Sequence, residues 1–469
     1  MNLKMFMKLN KLLPSCWRQC STIPTNPQIC IVGGGPAGFY GAQRLVKLMP
    51  TATIDIIERL PVPFGLVRYG VAPDHADVKN VISTFTKTAQ NPQVNFHGNL
   101  CLGRDFTLKD LQDSYHAVLL TYGAEEDRKL NIAGEELRNV ISARRFVGWY
   151  NGLPADRDLK VDLDVENVVL IGQGNVAVDV ARILLSSIEK LKGTDITEYA
   201  LEQLSRSKVK NVYFVGRRGP LQIACTIKEI REMINLPNVR TIFDKNDFEG
   251  VDKIIPNLGR PRRRLTELLN KSAIHGKTTE CDKTFNVIFK RTPLEFHGNA
   301  NVTGVKLGVN TLQGHDVESQ KAVLTEVVKE LPCDLVLRSI GYKSTQVEPN
   351  IPFDFRSGII VNKNGRIAPG LYCSGWVSTG PVGVILSTMS NAFATSDLIH
   401  KDISEKAVNM QEVKPGFEHM LQLAKNKGIQ IVSFNDWEKI DREEMKRGKS
   451  KGKPREKIVS VTEMLSIAS

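Results

Sequence analysis

Gly33-Gly34-Gly35-Pro36-Ala37-Gly38 has the Gly-x-Gly-x-x-Gly spacing that a pyrophosphate requires, and Gly172-Gln173-Gly174-Asn175-Val176-Ala177 repeats it with alanine in the last place. The first glycine of such a run makes the tight turn, the second lets the backbone approach the phosphates, and the third lets helix and strand pack closely. The free N–H groups of the following helix then face the anion. What comes after each turn differs in polarity. Glu58 stands 20 residues beyond Gly38 at the end of an apolar run, where a carboxylate accepts hydrogen bonds from ribose hydroxyls. The second unit ends instead in Gly216-Arg217-Arg218-Gly219. A carboxylate there would repel a 2′-phosphate, whereas two guanidiniums bind it in a forked geometry. The pair predicts one FAD site and one NADP(H) site, with hydride passing from NADPH to the flavin. The chain has no Cys-x-x-Cys, so no redox dithiol takes the electrons internally, and an external acceptor is expected.

The elements that must position these turns are legible around them. Gln28–Val32 reads as a strand running into the first turn, with an amphipathic helix after it to about Met49. Thr53–Ile57 and Ala117–Leu120 read as further strands, and Pro61–Leu66 as a rigid loop. The second unit repeats the plan, with strands Asn167–Ile171 and Asn211–Val215 flanking a helix over Asp179–Leu185. Residues 187–207 read as a polar, partly helical insertion, and 281–335 alternate in the β manner. Gly380-Pro381-Val382-Gly383 leads into a helix through Ala394, and the charged run Lys446–Lys457 reads as a solvated loop before a last helix. Strands alternating with helices imply parallel sheets. The fold class is α/β: two Rossmann-like dinucleotide-binding domains, the NADP domain (126–344) inserted into a discontinuous FAD domain (27–125 and 345–469).

Composition narrows the setting. The chain has 469 residues and a formal net charge of +12, which points to an acidic partner or an anionic surface. No apolar run is long enough to span a bilayer, which leaves peripheral association as the only membrane contact expected. The first acid is Asp55; before it, Lys4, Lys8, Lys11 and Arg18 stand opposite Met5, Leu9, Leu12 and Leu13, as in a mitochondrial presequence over residues 1–20. Eight scattered cysteines suit a reducing compartment such as the matrix and provide no zinc or iron–sulfur spacing, and no metal site is expected. Arg260-Pro261-Arg262-Arg263-Arg264 would put Arg260 and Arg264 on one helical face. No nucleic-acid module accompanies it.

With these motifs on the page, the sequence closely resembles the adrenodoxin reductase family of ferredoxin–NADP⁺ reductases. The resemblance rests on ICIVGGGPAGFYGAQ (29–43), PFGLVRYGVAPDH (63–75), GQGNVAVDVARILL (172–185), VGRRGPLQIACTIKE (215–229) and YCSGWVSTGPVGVI (372–385). It implies FAD contacts at Ala37, Glu58, Leu66 and Leu102, and NADP contacts at Gln173, Gly174, Asn175, Val176, Arg217, Arg218 and Glu229. It further implies that Trp376, Gly383, Val384 and Ile385 line the flavin ring, and that His75 and Asp179 sit near it and assist proton movement. Arg231, Arg260 and Arg264 would receive an acidic [2Fe–2S] ferredoxin serving mitochondrial P450 steroid hydroxylation or iron–sulfur cluster assembly. Ser378-Thr379 depart from a pattern that is often basic at those positions in the family. Three other readings share the two nucleotide sites: an FAD-dependent monooxygenase, a non-catalytic redox sensor, and the NADPH-oxidising subunit of a larger iron–sulfur enzyme.

Overall fold

A computed structural model describes residues 26–276, 280–383 and 385–469; the presequence over 1–20 and Val384 lie outside the described residues. The chain opens with β1 (Gln28–Val32), which runs through the glycine turn into helix α1 (Pro36–Leu48). Strands β2 (Thr53–Glu58), β3 (Val94–Gly98) and β4 (Ala117–Leu120) follow. The second unit contributes β5 (Val140–Ser142), β6 (Asn167–Ile171), helix α2 (Asn175–Leu185), β7 (Asn211–Val215), helix α3 (Ile227–Ile234) and β8 (Val239–Phe243). Helix α4 (Arg260–Ile274), β9 (Lys283–Ile288), an antiparallel trio β10 (Arg291–Gly298), β11 (Val302–Gln313) and β12 (Lys321–Pro332), and β13 (Leu335–Arg338) complete it. The chain then returns with β14 (Arg366–Ala368), β15 (Leu371–Cys373) and helix α5 (Ile385–Ser404), and ends in α6 (Phe434–Ser450) and α7 (Val461–Ala468).

Two six-stranded sheets result, in the orders β14-β15-β4-β1-β2-β3 and β5-β13-β6-β7-β9-β8. The second is parallel throughout; the first is parallel except for the β14–β15 pair. Parallel strands are covered on both faces, which is why β1, β4 and β6 read as nearly unbroken apolar runs. Ile29 and Ile31 pack with Phe39 of α1, while Cys30 and Val32 pack with Leu100 and Leu111 on the other side. The turns open at the carboxyl ends of β1 and β6, beside β4 and β13 respectively, where open α/β sheets bind ligands.

Most predicted strands fall where expected, and three differences have clear causes. The helix expected to end at Ala394 continues to Ser404 because Ser396, Ile399 and Asp402 extend its buried face. The Pro61–Leu66 loop passes into a short helix, Gly65–Tyr69. The expectation of a solvated loop over Lys446–Lys457 is corrected. Its first part is the last turn of α6, and Lys453 and Lys457 are buried, 6% and 3% exposed. Lys453 Nζ donates to the Ile196 carbonyl at 2.5 Å, and Lys457 Nζ lies 3.0 Å from Asp195 Oδ2. Lys79 reaches the other oxygen of the same carboxylate at 2.6 Å. Burial alone would raise Asp195, but the two ammonium groups hold it well below the usual carboxylate range. The 187–207 insertion thus provides an acidic socket into which the tail's lysines plug.

Candidate functional site

The same backbone device is built twice. Gly33 and Gly172 both have φ of +114°, a conformation that favours glycine. A Cβ on Gly33 would come within 2.7 Å of the Thr121 carbonyl oxygen, just past β4. A Cβ on Gly172 would come within 2.2 Å of the Ser339 carbonyl oxygen, just past β13. The middle glycines, Gly35 and Gly174, face open space: nothing lies within 4 Å of a Cβ built there. Gly38 and Ala177 then close helix onto strand; a Cβ at Gly38 would strike the Gly33 carbonyl at 2.1 Å, whereas the second turn holds the fully buried Ala177 at that place. Both helices start at these glycines with no side-chain cap, so their first N–H groups remain available to an anion.

The first turn gathers the predicted flavin-side residues. Glu58 Oε2 accepts from the Gly34 N–H at 2.8 Å and Oε1 from the Leu60 N–H at 3.0 Å. Burial pushes this carboxyl up, and those N–H bonds pull it part of the way back. Leu66 borders the turn, since Phe64 N–H donates to the Gly34 carbonyl at 2.7 Å and Gly65 packs on Gly35. Leu102 is buried with Val32, Ile57 and Leu120 at the strand ends. Gly375, at φ +70°, abuts Ala37, which brings Trp376 to the mouth of the turn. The Trp376 ring lies 6.0 Å from that of Tyr342, and its buried Nε1 has no hydrogen-bond partner among the described residues. That orphaned donor, the open face at Gly35 and the uncapped helix fit FAD. Helix α5 begins at Ile385, two residues after Gly383, and its Thr388 lies beside Gly375 at this mouth. Ser378 and Thr379 are spent internally, on Asn362 and on the Gly375 carbonyl.

The second turn is held by its own side chains. Gln173 Nε2 donates to the Phe214 and Ile288 carbonyls at 3.0 and 3.2 Å. Asn175 Oδ1 accepts from the Thr226 N–H at 2.7 Å and so ties the turn to α3. Val176 is half-buried at the start of α2. The Arg217–Arg218 loop is fastened through its backbone: Asn310 Nδ2 donates to the Arg217 carbonyl and the Lys290 N–H to the Arg218 carbonyl, each at 2.9 Å. Neither guanidinium has a carboxylate partner among the described residues. Burial and the positive charges of Arg217 and Arg262 pull the pKa of Arg218 down. Two unpaired guanidiniums on a fixed loop form an anion site awaiting its charge.

Glu229, expected at the nucleotide, lies in one cluster with His75 and Asp179. Arg182, 1% exposed, is its hub. Its Nε and Nη2 donate to Asp74 at 2.7 and 2.9 Å, Nη2 also to Asp179 at 2.8 Å, and Nη1 to Glu229 at 3.3 Å. His75 does not hydrogen-bond Asp179: its Nδ1 is 4.0 Å away, while Nε2 pairs with Glu232 at 2.8 Å and lies 3.7 Å from Glu229. Burial and then the neighbouring Asp179 push Glu229 up to about 7. Burial also raises Asp179, whereas Arg182 overcomes the same penalty at Asp74 and holds it at about 2. Ligand atoms of His75, Asp179 and Glu229 lie within 4.8 Å of one another, as a cation site would have them, but Arg182 already provides the positive charge. Arg182, Asp74 and Glu232 were not singled out from the sequence; the Asp179–Arg182 spacing of three on a helix was the available signal.

Arg231 of α3 and Arg260 and Arg264 of α4 are exposed, on helices that pack against each other. Helix α4 begins at Arg260, so Arg260 and Arg264 share a face as the spacing predicted.

The pyridine nucleotide-disulphide oxidoreductase family matches residues 27–234. The mitochondrial NADPH:adrenodoxin oxidoreductase of Salvelinus fontinalis is 50% identical over 98% of this chain and 95% of its own length. That of Homo sapiens is 50% identical over 97% of this chain and 94% of its own. Among solved structures, FprA from Mycobacterium tuberculosis in complex with NADPH superposes with a TM-score of 0.89 at 37% identity, covering 94% of this chain and 99% of that one.

Proposed function

The chain belongs to the NADPH:adrenodoxin oxidoreductase family, and from that membership we propose that its first glycine turn receives FAD, its second NADPH, and its arginine-bearing helices the ferredoxin. It is a mitochondrial flavoenzyme that passes electrons from NADPH through FAD to an adrenodoxin-type ferredoxin. When bound, FAD supplies the conversion of a hydride into single electrons. The chain's residues bind, orient and neutralise. Glu58, its carboxylate fixed by two N–H groups, is assigned to the ribose, and the uncapped start of α1 to the pyrophosphate. Trp376 is assigned to the flavin ring, with its free indole N–H as a donor. Gln173 to Val176 at the start of α2 and the Arg217–Arg218 pair are assigned to NADPH, the arginines selecting the 2′-phosphate. His75 and Asp179 are assigned to proton handling, with Glu229 as the neighbour that keeps its proton near neutrality. Arg231, Arg260 and Arg264 are assigned to docking, where charge complementarity would speed encounter with an acidic partner and make it salt-sensitive.

The domain division 27–125, 126–344 and 345–469 agrees with the two sheets and is proposed with these roles. So are a presequence over 1–20, a matrix location and peripheral contact with an anionic inner-membrane face. The positive charge that remains from the +12 once the four basic residues of 1–20 are set aside supports the last, and among the described residues no helix is long and apolar enough to cross a membrane.

The observation that carries the cofactor assignment is the opposite polarity of two otherwise identical turns, Glu58 at one and the unpaired Arg217–Arg218 pair at the other. Stopped-flow absorbance tests it with FAD-loaded protein, mixed first with NADPH and then with an oxidised [2Fe–2S] ferredoxin. Flavin bleaching followed by ferredoxin reduction is expected. Bleaching without ferredoxin reduction would reject the docking assignment and direct the search to another acceptor, beginning with oxygen.

A further inference from the structure

Helix α4 does not present its arginines as one surface. Arg260, Arg263 and Arg264 are exposed, but Arg262 turns inward onto the nucleotide loop. Its Nη1 donates to the carbonyl of Ile223 at 2.7 Å, on the same turn that begins at Arg217. That turn is rigid. The Gly219 N–H donates to the buried Gln222 side chain at 3.0 Å, and Gln222 Nε2 donates in turn to the Val317 carbonyl. Two more cations approach the loop, and they are differently engaged. Lys290 lies 3.3 Å from Asp247, a half-buried acid. Arg262 has only the half-exposed Glu318, at 3.8 Å from Nε, and its side chain remains 25% exposed. Its Nη2 donates no hydrogen bond among the described residues. The charge of Arg262 is felt at Arg218, where it adds to that of Arg217.

We propose that Arg262 is the third cation of the 2′-phosphate site: anchored by one nitrogen to the Ile223 carbonyl, it directs its remaining donors toward the anion held by Arg217 and Arg218. The inference rests on the assignment of that arginine pair to the 2′-phosphate. Three mutually repelling guanidiniums, two on a fixed loop and one reaching it from α4, gain most from a dianion, because binding relieves their repulsion as well as forming charge-assisted bonds. The basic cluster at 260–264 then divides its labour, with Arg262 serving the nucleotide and its exposed neighbours left to the partner surface.

Isothermal titration of the FAD-loaded protein with 2′,5′-ADP and with 5′-AMP separates the phosphate from the rest of the ligand. R262Q should weaken 2′,5′-ADP about tenfold, about 1.4 kcal/mol, and leave 5′-AMP unchanged. R262K, which keeps the charge, should recover part of the loss. If R262Q weakens both ligands equally, Arg262 merely braces the loop and the proposal falls. It also falls if R262Q binds both as the wild type does while R218Q loses 2′,5′-ADP, a result that leaves the arginine-pair assignment standing. If R218Q and R262Q both bind 2′,5′-ADP normally, the 2′-phosphate assignment itself fails and takes this proposal with it.

Discussion

Replacing Arg182 with methionine would leave Asp74, Asp179 and Glu229 without the guanidinium to which all three are hydrogen-bonded. The size of the effect follows from their titration. Asp74 is held at about 2 against an ordinary 3.8, a net stabilisation of about 2 kcal/mol in which Arg182 is the largest favourable part, ahead of His75 and Lys190. Because its folded pKa is depressed, that stability is present above pH 4 and is lost as pH falls toward 2. Asp179 and Glu229 each lose a charge-assisted hydrogen bond as well, at 2.8 and 3.3 Å. Removing one partner of a buried ion group costs about 3–5 kcal/mol, and we expect that range at pH 7.5. The loss should be smaller at pH 5.5, because Glu229, raised to about 7, is then protonated and no longer needs the guanidinium's charge. Urea unfolding followed by tryptophan fluorescence, with Trp149 buried in the second unit, reads the change as a midpoint shift of about 1 M. A chain with two sheets need not unfold in one step, so the midpoint of the Trp149 transition is the quantity to compare. An unchanged midpoint at pH 7.5, or an equal deficit at both pH values, would refute Arg182 as the neutraliser of this cluster.

The double variant R217A/R218A should weaken NADPH by about a hundredfold while changing NADH by less than threefold, on the basis of two lost charge-assisted contacts; equal losses in a titration of both would remove the 2′-phosphate assignment. R260E/R264E should raise the apparent KM for ferredoxin at least tenfold and flatten its salt dependence, yet spare reduction of a small dye; unchanged ferredoxin kinetics would take these residues out of the docking face. E229Q tests the raised carboxyl. The folded state keeps a proton that the unfolded chain releases as pH rises from about 4.5 to about 7, so Glu229 destabilises the fold progressively through that window. The variant should therefore match the wild type near pH 4.5 and gain thermal stability over it above pH 7; a constant difference across pH would show that Glu229 titrates normally.

The fold was largely legible because its strands are buried on both faces and interrupted by glycine turns. β1, β4, β6 and β7 fall on the residues whose types predicted them. The nucleotide turns were legible for the same reason: Gly33 and Gly172 are dictated by one backbone conformation, and sequence records that as residue type. What escaped notice depends on distant contacts. Lys453 and Lys457 look solvated in a charged run, and only the fold brings Ile196 and Asp195 to them. Arg182 reads as an ordinary helix residue until Asp74 arrives from the other unit. Arg262 is indistinguishable in sequence from Arg263, since which arginine turns inward is decided by the packing of α4 on the turn after Arg217.

The lysine plug has a consequence for how the protein is made. Asp195 and Lys457 are 262 residues apart, and β15, which completes the flank of β4, is also supplied late. At a synthesis rate of about 5–20 residues per second, roughly 13–50 seconds separate the emergence of the socket from that of its plug. Through that interval the acidic socket has, among the described residues, only Lys79 to neutralise it, and for the first part of it, until β15 emerges, the first sheet exposes the β4 edge. A chain crossing a membrane unfolded, amino end first, would meet the same delay in the same order: the nucleotide turns and the Arg182–Asp74 contact can form early, and the lysines that fasten the tail to the second unit arrive last. Factors that shield an exposed sheet edge should matter more to the yield of this protein than to that of an enzyme whose domains close in sequence order.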